Sequence, residues 1–308
     1  MMKQSACSFP VRSREVPGSV AAQASGANMR LRNACLETAG IAIGSLHAEL
    51  VLYPKPGLVS PIDNGSHADM DAGLFMRSLF SLRHYFVRAA HAGAADMPFG
   101  VLKGLGIQAE QRMLTATGGI NTHRGAIFSL GLLCAATGYC HGHGLPLSEN
   151  TLRTVLMTQW GAALEAHSMP PASGTSHGMR VAHLYGISGA REEGAKGFPA
   201  VFDIGVPQLR KTLAAGHSHY HAQVDALFAL MAHMADTNIY HRGGPDGAML
   251  ARRAAQGFIA LGGTAHPHWQ KTALDCHRQF VSRGLSPGGA ADMLAASWFV
   301  YQTSPWME

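Results

Sequence analysis

Arg30–Leu52, RLRNACLETAGIAIGSLHAELVL, places Leu31, Cys35, Ala39, Ile43, Leu46 and Leu50 four or three residues apart. That spacing predicts an amphipathic helix, stopped by Pro54. The same period recurs along the chain. It predicts helices over 101–116, 147–166, 222–236, 247–262 and 266–283, a longer one through FMRSLFSLRHYFVRAAH, and one opened by Ser286-Pro287-Gly288-Gly289 with Ser286 as cap. No alternating strand pattern and no repeat is found. The expected fold class is all-α: one helical domain over 29–308, after a flexible tail over 1–28.

Of the 308 residues, 47% are hydrophobic and 14% charged, so the chain is globular and buries a large core. A formal charge of +5 without a Lys/Arg run suits a small anionic ligand, and no nucleic-acid motif is present. Five scattered cysteines do not make a secreted disulfide framework, and C-x5-C-H-x-H at 134–143 is not a zinc spacing. No run of roughly 18 apolar residues predicts a membrane span, which sets the cytoplasm as the expected location.

The helices are interrupted by polar segments. Pro54–Asp71, PKPGLVSPIDNGSHADMD, has three prolines and two glycines, and gathers Asn64, Ser66, His67, Asp69 and Asp71 within eight residues. A loop so stiff and polar is a candidate site, with Ser66-x-x-Asp69 as a capping-box alternative. Glu49 falls in the last turn of the preceding helix, where the helix dipole disfavours a carboxylate. In GGINTHRGAIFSLG, Asn121 or Thr122 can cap a helix that starts with His123 and Arg124, two basic groups that ask for an anion. Asp236, Asn238, His241 and Arg242 cluster in DTNIYHRGG, at the expected C-terminal end of a helix. Asp292 lies early in the last, apolar helix. HSMPPASGTSHGMR is read as a loop, Arg180–Arg191 as a helical piece, and REEGAKGFPAVFDIGVP as a second irregular segment.

Taken together, PKPGLVSPIDNGSHADMD, GGINTHRGAIFSLG, DTNIYHRGG and SPGGAADMLA resemble the triphosphoribosyl-dephospho-CoA synthase family, from about Leu31 to Val300. The first motif is similar to the malonate decarboxylase branch more than to the citrate lyase branch. The resemblance implies a transfer from ATP to 3′-dephospho-CoA with release of adenine, which makes the prosthetic-group precursor for an acyl-carrier subunit. It implies ATP and dephospho-CoA as partners, no membrane, and Mg²⁺ on oxygen ligands; a homodimer is compatible with it.

The residue types can then be matched to that chemistry. Asp69, Asp71, Asp236 and His67 are the catalytic candidates. Asp69, Asp71, Asp236, Asp292 and Glu49 are the Mg²⁺ candidates. Lys55, Asn64, Ser66, Asn121, His123, Arg124, Asn238, His241 and Arg242 are the candidates for ATP and its phosphates. Which carboxylate acts as base is left open. A metal-dependent nucleotide or ADP-ribose hydrolase and a non-enzymatic CoA- or nucleotide-binding protein are the alternatives.

Overall fold

The computed structural model describes residues 18–168, 184 and 189–304, with side chains from residue 26. Every regular element among them is helical, and they form a single all-α domain. Three helices are apolar around nearly their whole circumference and make the core: α5 (Arg124–His143), α10 (His219–His233) and α13 (Gly288–Thr303). In α10 every residue from Ala222 to Ala232 is buried. Helices of this kind need neighbours on all sides. Here α1 (Gly18–Val51) packs on α13, α5 and α3 (Arg83–Ala94), and α11 (Thr237–Ala260) packs on α10.

The tightest contact is α3 against α5. A Cβ on Gly93 would overlap the carbonyl oxygen of Ala135, and one on Gly138 would overlap that of Ala90. The two backbones touch because neither position carries a side chain. The remaining long helices are α2 (Ala72–Ser81), α4 (Phe99–Ala116), α9 (Val206–Ala214) and α12 (Trp269–Ser282). A continuous run is built from α6 (Glu149–Val155), a π turn at Leu156–Trp160, and α7 (Gly161–Ser168). The short α8 spans Ala190–Ala195.

The helix of 30–52 is present, but it reaches back to Gly18, inside the segment expected as tail; residues 1–17 lie outside the described residues. Its core face is Cys35, Ala39, Ala42, Leu46 and Leu50, with Ala42 rather than Ile43 at the centre. This helix is long and apolar enough, from Gly26 to Val51, to cross a membrane by length and composition, with mean hydropathy 1.2. Here that apolar surface packs against α3, α5 and α13.

Four expectations are corrected. The helix after the Pro54–Asp71 loop divides at Leu82 into α2 and α3. Segment 191–207 is largely helical, because Pro199 and Pro207 fall at helix starts that need no N–H. Its break comes at Gly197 and Phe198, both with positive φ. The 237–243 stretch is a helix, merged with the next across a kink at Gly244 (φ 60°, ψ −160°) beside Pro245. Finally, Pro287 and not Ser286 precedes α13. The loop expected over 167–180 and the helical piece over 180–191 fall mostly outside the described residues.

Candidate active site

Helix ends converge on one cavity of about 1010 Å³. That is the upper end of the usual range for small-molecule sites, about 300–1,000 Å³. The C-terminal turn of α1, the Pro54–Asp71 loop, one face of α4 and the N-termini of α5, α11 and α13 all reach it.

Asp236 ties two of those helix starts together. It is the N-cap of α11, not the C-terminus of α10, and its Oδ1 accepts from the N–H groups of Asn238 (2.8 Å) and Ile239 (3.4 Å). Its Oδ2 accepts from Ala290 N–H at 2.9 Å, in the first turn of α13. A carboxylate at two positive helix ends is well placed, although burial raises its pKa.

Asp292 does the same for α5. It projects from α13 and accepts from the N–H of Ala126, and a Cβ on Gly125 would overlap its Oδ2. Gly125 is therefore required by the carboxylate it faces. Burial raises the pKa of Asp292 well above the ordinary value, and the charges of Glu49 and Asp236 raise it further. Glu49 and Asp236 thus both act on Asp292 electrostatically, and all three line the cavity.

Glu49 is the third of that group, and its place at a helix C-terminus has an answer. Lys55 Nζ donates to the backbone carbonyl of Glu49 at 2.7 Å and to its Oε1 at 2.7 Å. The ammonium satisfies the helix end and the side chain together. Lys55 is 1% exposed and does not line the cavity, so the structure sets it behind the site, not against a phosphate.

The loop residues divide. Asp69 faces the cavity with 61% of its side chain exposed; its recorded partner is His67 at 3.9 Å. Asp71 turns away and caps α2, with Oδ1 accepting from Leu74 N–H at 2.6 Å. That makes Asp71 the cap that Ser66-x-x-Asp69 was expected to supply. Ser66 Oγ instead donates to the Leu285 carbonyl at 2.6 Å, and neither Ser66, Asn64 nor Asp71 lines the cavity. His67 does line it, but both ring nitrogens are engaged. Arg242 Nη2 donates to Nδ1 (3.0 Å), and Nε2 bonds Ser286 Oγ (2.9 Å). Burial and the Arg242 charge lower its pKa to about 4, so the ring is neutral. The other guanidinium nitrogen, Arg242 Nη1, donates to the carbonyls of Ser66 and Gly284 and clamps the loop to the α12–α13 turn.

Asn121, His123, Arg124, Asn238 and His241 also line the cavity. Asn121 Oδ1 accepts from Arg124 N–H at 3.2 Å, but the N-cap position of α5 falls to His123, whose side chain makes no capping bond, so the helix starts one residue later than expected. The anion argument for the two basic residues changes, however. Arg124 is paired with Glu110, Nε to Oε1 at 2.6 Å. His123 is neutral, its pKa lowered to about 3 by burial and by Lys55.

Sequence reasoning missed Lys103, Glu110, Arg191, Glu192, Glu193 and Gly125, all of which line the cavity. Lys103, Gly106, Ile107 and Glu110 stand at i, i+3, i+4 and i+7, so they share one face of α4. That mixed face was the available signal. Among the described lining residues seven are carboxylates (Glu49, Asp69, Glu110, Glu192, Glu193, Asp236, Asp292) against four Lys and Arg (Lys103, Arg124, Arg191, Arg242). A polyphosphate entering this cavity therefore brings charge that the cations alone do not offset.

A family profile for ATP:dephospho-CoA triphosphoribosyl transferase (CitG) matches residues 35–308. The chain belongs to this family. It is 40% identical over 256 residues to a probable 2-(5″-triphosphoribosyl)-3′-dephosphocoenzyme-A synthase of Acinetobacter calcoaceticus, covering 83% of this chain and 87% of the relative. It is 40% identical to the Azotobacter vinelandii protein of that name (87% and 91% covered). It is 35% identical to the Pectobacterium atrosepticum 2-(5″-triphosphoribosyl)-3′-dephosphocoenzyme-A synthase (83% and 86% covered). No solved structure matches. The chain is accordingly an enzyme of this transferase class.

Proposed function

We propose that this enzyme joins ATP to 3′-dephospho-CoA and releases adenine. The product is the precursor of the prosthetic group on an acyl-carrier subunit, that of malonate decarboxylase in preference to citrate lyase. The observation that carries the reading is the group of Glu49, Asp236 and Asp292 at the wall of the cavity.

In this reaction the 2′-hydroxyl of dephospho-CoA forms a bond to C1′ of the ATP ribose as the bond from C1′ to adenine breaks. The electron pair of that bond leaves with adenine, which takes up a proton in place of the one the hydroxyl loses. The carbon is inverted and the triphosphate stays intact. Positive charge develops on the ribose ring, and fixed carboxylates beside it stabilise that state more than the ground state. Asp236, locked by backbone N–H groups at two helix ends, is suited to this electrostatic role. Asp69, exposed at the cavity with His67 3.9 Å away, accepts the hydroxyl proton. Arg242, His241, Asn238, Asn121 and Arg124 orient phosphate and ribose oxygens.

Mg²⁺ fits the donor set in a particular way. Among the described residues no three His, Cys, Asp or Glu side chains converge closely enough to hold a metal ion alone. Mg²⁺ characteristically takes one or two carboxylates and completes its shell with water and substrate phosphates. Glu49 and Asp292, whose mutual repulsion raises the Asp292 pKa, would supply those carboxylates. The ion would neutralise the triphosphate in a cavity where acidic groups outnumber cations. We place the enzyme in the cytoplasm, with α1 serving as a core helix.

The test is chromatography of protein, ATP, Mg²⁺ and 3′-dephospho-CoA with each component omitted in turn. Free adenine only in the complete mixture supports the transferase. Adenine or phosphate from ATP alone would overturn it in favour of a hydrolase, and no product at all would leave a binding protein.

A further inference from the structure

His123 stands where α5 begins, 3% exposed in the cavity wall. Phe75 meets its ring edge-on with centroids 5.0 Å apart, and its backbone N–H donates to Met113 Sδ at 3.2 Å. These contacts account for the position of the ring. They leave its two nitrogens to be explained.

Nδ1 lies 2.6 Å from Ser78 Oγ on α2. Ser78 Oγ in turn accepts from Thr122 Oγ1 at 2.6 Å. A hydroxyl carries a single hydrogen. Thr122 spends its hydrogen on Ser78, so the hydrogen of Ser78 is available for Nδ1. In the arrangement that uses both hydroxyl hydrogens, Nδ1 is the acceptor and the one proton of the neutral ring sits on Nε2. Nε2 is buried and has no hydrogen-bond partner among the described residues. A buried donor left unpaired is destabilising, and native structures keep few of them without a missing partner.

We infer that Thr122, Ser78 and His123 form a relay that fixes the Nε2–H tautomer, so that His123 donates a neutral hydrogen bond to the bound nucleotide. The acceptor is a lone pair on a ribose or phosphate oxygen or on a purine ring nitrogen. Only the identity of that acceptor rests on the proposed reaction. Ser78 and Thr122 are positioning residues: they act through the ring and set which nitrogen carries the proton. A metal-ligand role for His123 is disfavoured by the same arrangement, because the unpartnered nitrogen, Nε2, carries the proton and has no free lone pair.

The first arm of the test needs no turnover. Nitrogen-15 spectra of the full chain carrying ring-labelled histidine, with the His123 signals identified by their loss in His123→Gln, report the tautomer. A protonated Nε2 with a bare Nδ1 is expected, and Ser78→Ala should give a mixed or reversed tautomer while the helical circular dichroism stays the same. A protonated Nδ1 or a charged ring in the unmodified protein would overturn the relay.

The second arm is kinetic. Ser78→Ala and His123→Ala should each lower kcat/KM for ATP by about 10- to 100-fold, as supporting hydrogen bonds to functional histidines do. The double variant should be no worse than His123→Ala alone. Thr122→Val should lose part of the rate, and Thr122→Ser, which keeps the hydroxyl, should restore it. Additive losses, or an unchanged rate in Ser78→Ala, would overturn the substrate-facing role. If no adenine forms under any condition the proposed reaction fails, and the spectra still decide the tautomer.

Discussion

Two regions of this molecule are equally rich in polar side chains, and they use them differently. In the Pro54–Asp71 loop most polar groups close on nearby backbone: Ser60 on Ile62 and Asp63, Asp63 on Gly65, Ser66 on Leu285 and Asp71 on Leu74. Where α5, α11 and α13 begin, only two carboxylates serve three helices, and both still face the cavity. A proline- and glycine-rich loop has few internal backbone partners, so its side chains are consumed in folding it. Helix N-termini offer several N–H groups in one direction, so a single carboxylate can satisfy them and keep a face toward a ligand.

The largest expected effect tests the support behind both regions. Lys55→Met leaves Glu49 without its cation in a site where the two side chains are 1% and 8% exposed. Removing one partner of such a pair costs about 3–5 kcal/mol. Chemical denaturation should show a loss of this size. A variant as stable as the parent would mean that the pair does not anchor the loop to α1.

Acid should weaken the loop through His67. Its folded pKa, about 4, is below the ordinary 6.5 because of burial and Arg242. Between those values the unfolded chain takes up a proton that the folded ring refuses, so stability contributed by the neutral ring is lost as pH falls from 6.5 through 4. The slope for one proton is about 1.4 kcal/mol per pH unit. His67→Gln should flatten this part of the stability–pH curve; an unchanged curve would mean that His67 is not held neutral.

At the helix junction, Asp236→Asn places an amide NH₂ against backbone N–H groups on one side. A loss of about 1–3 kcal/mol is expected, together with loss of turnover. Full stability without turnover would separate the electrostatic role from the capping one. In the loop, Asp71→Ala should cost about 1 kcal/mol, the ordinary value of an N-cap, and leave kcat within a few-fold. A large loss of kcat at full stability would return Asp71 to the site.

The helices were legible because their apolar period was strong, and the four polar segments were recognisable as places where it fails. What stayed hidden was which carboxylate faces inward. Asp236 read as a residue at the wrong end of α10, because the extended turn at Met234 that ends the helix has no proline or glycine to announce it. Glu49 read as unfavourable because its answering charge, Lys55, reaches back from the loop. Lys103 and Glu110 read as solvated surface on α4, although they share one face with Gly106 and Ile107. The Asp236 bond to α13 spans distant segments, and even the short Glu49–Lys55 link depends on how the loop folds back, which local pattern does not encode.

Asp69 and Asp71 are the sharpest form of the comparison, since two residues of one type stand two positions apart in one loop. Asp71 is held by a backbone N–H at 2.6 Å, whereas Asp69 has 61% of its side chain exposed and only His67 at 3.9 Å. Its conversion to Asn removes a charge without opening a cavity or stranding a buried donor, so stability should stay within about 0.5 kcal/mol. If Asp69 accepts the hydroxyl proton, Asp69→Asn should lower kcat by about 100-fold or more, because an amide cannot serve as a general base. The pair of variants, Asp69→Asn and Asp71→Ala, then has opposite signatures in two assays on the same loop: one loses rate and keeps stability, the other loses stability and keeps rate. Wild-type kcat in Asp69→Asn would remove it from the mechanism and pass the base role to another of the carboxylates that line the cavity.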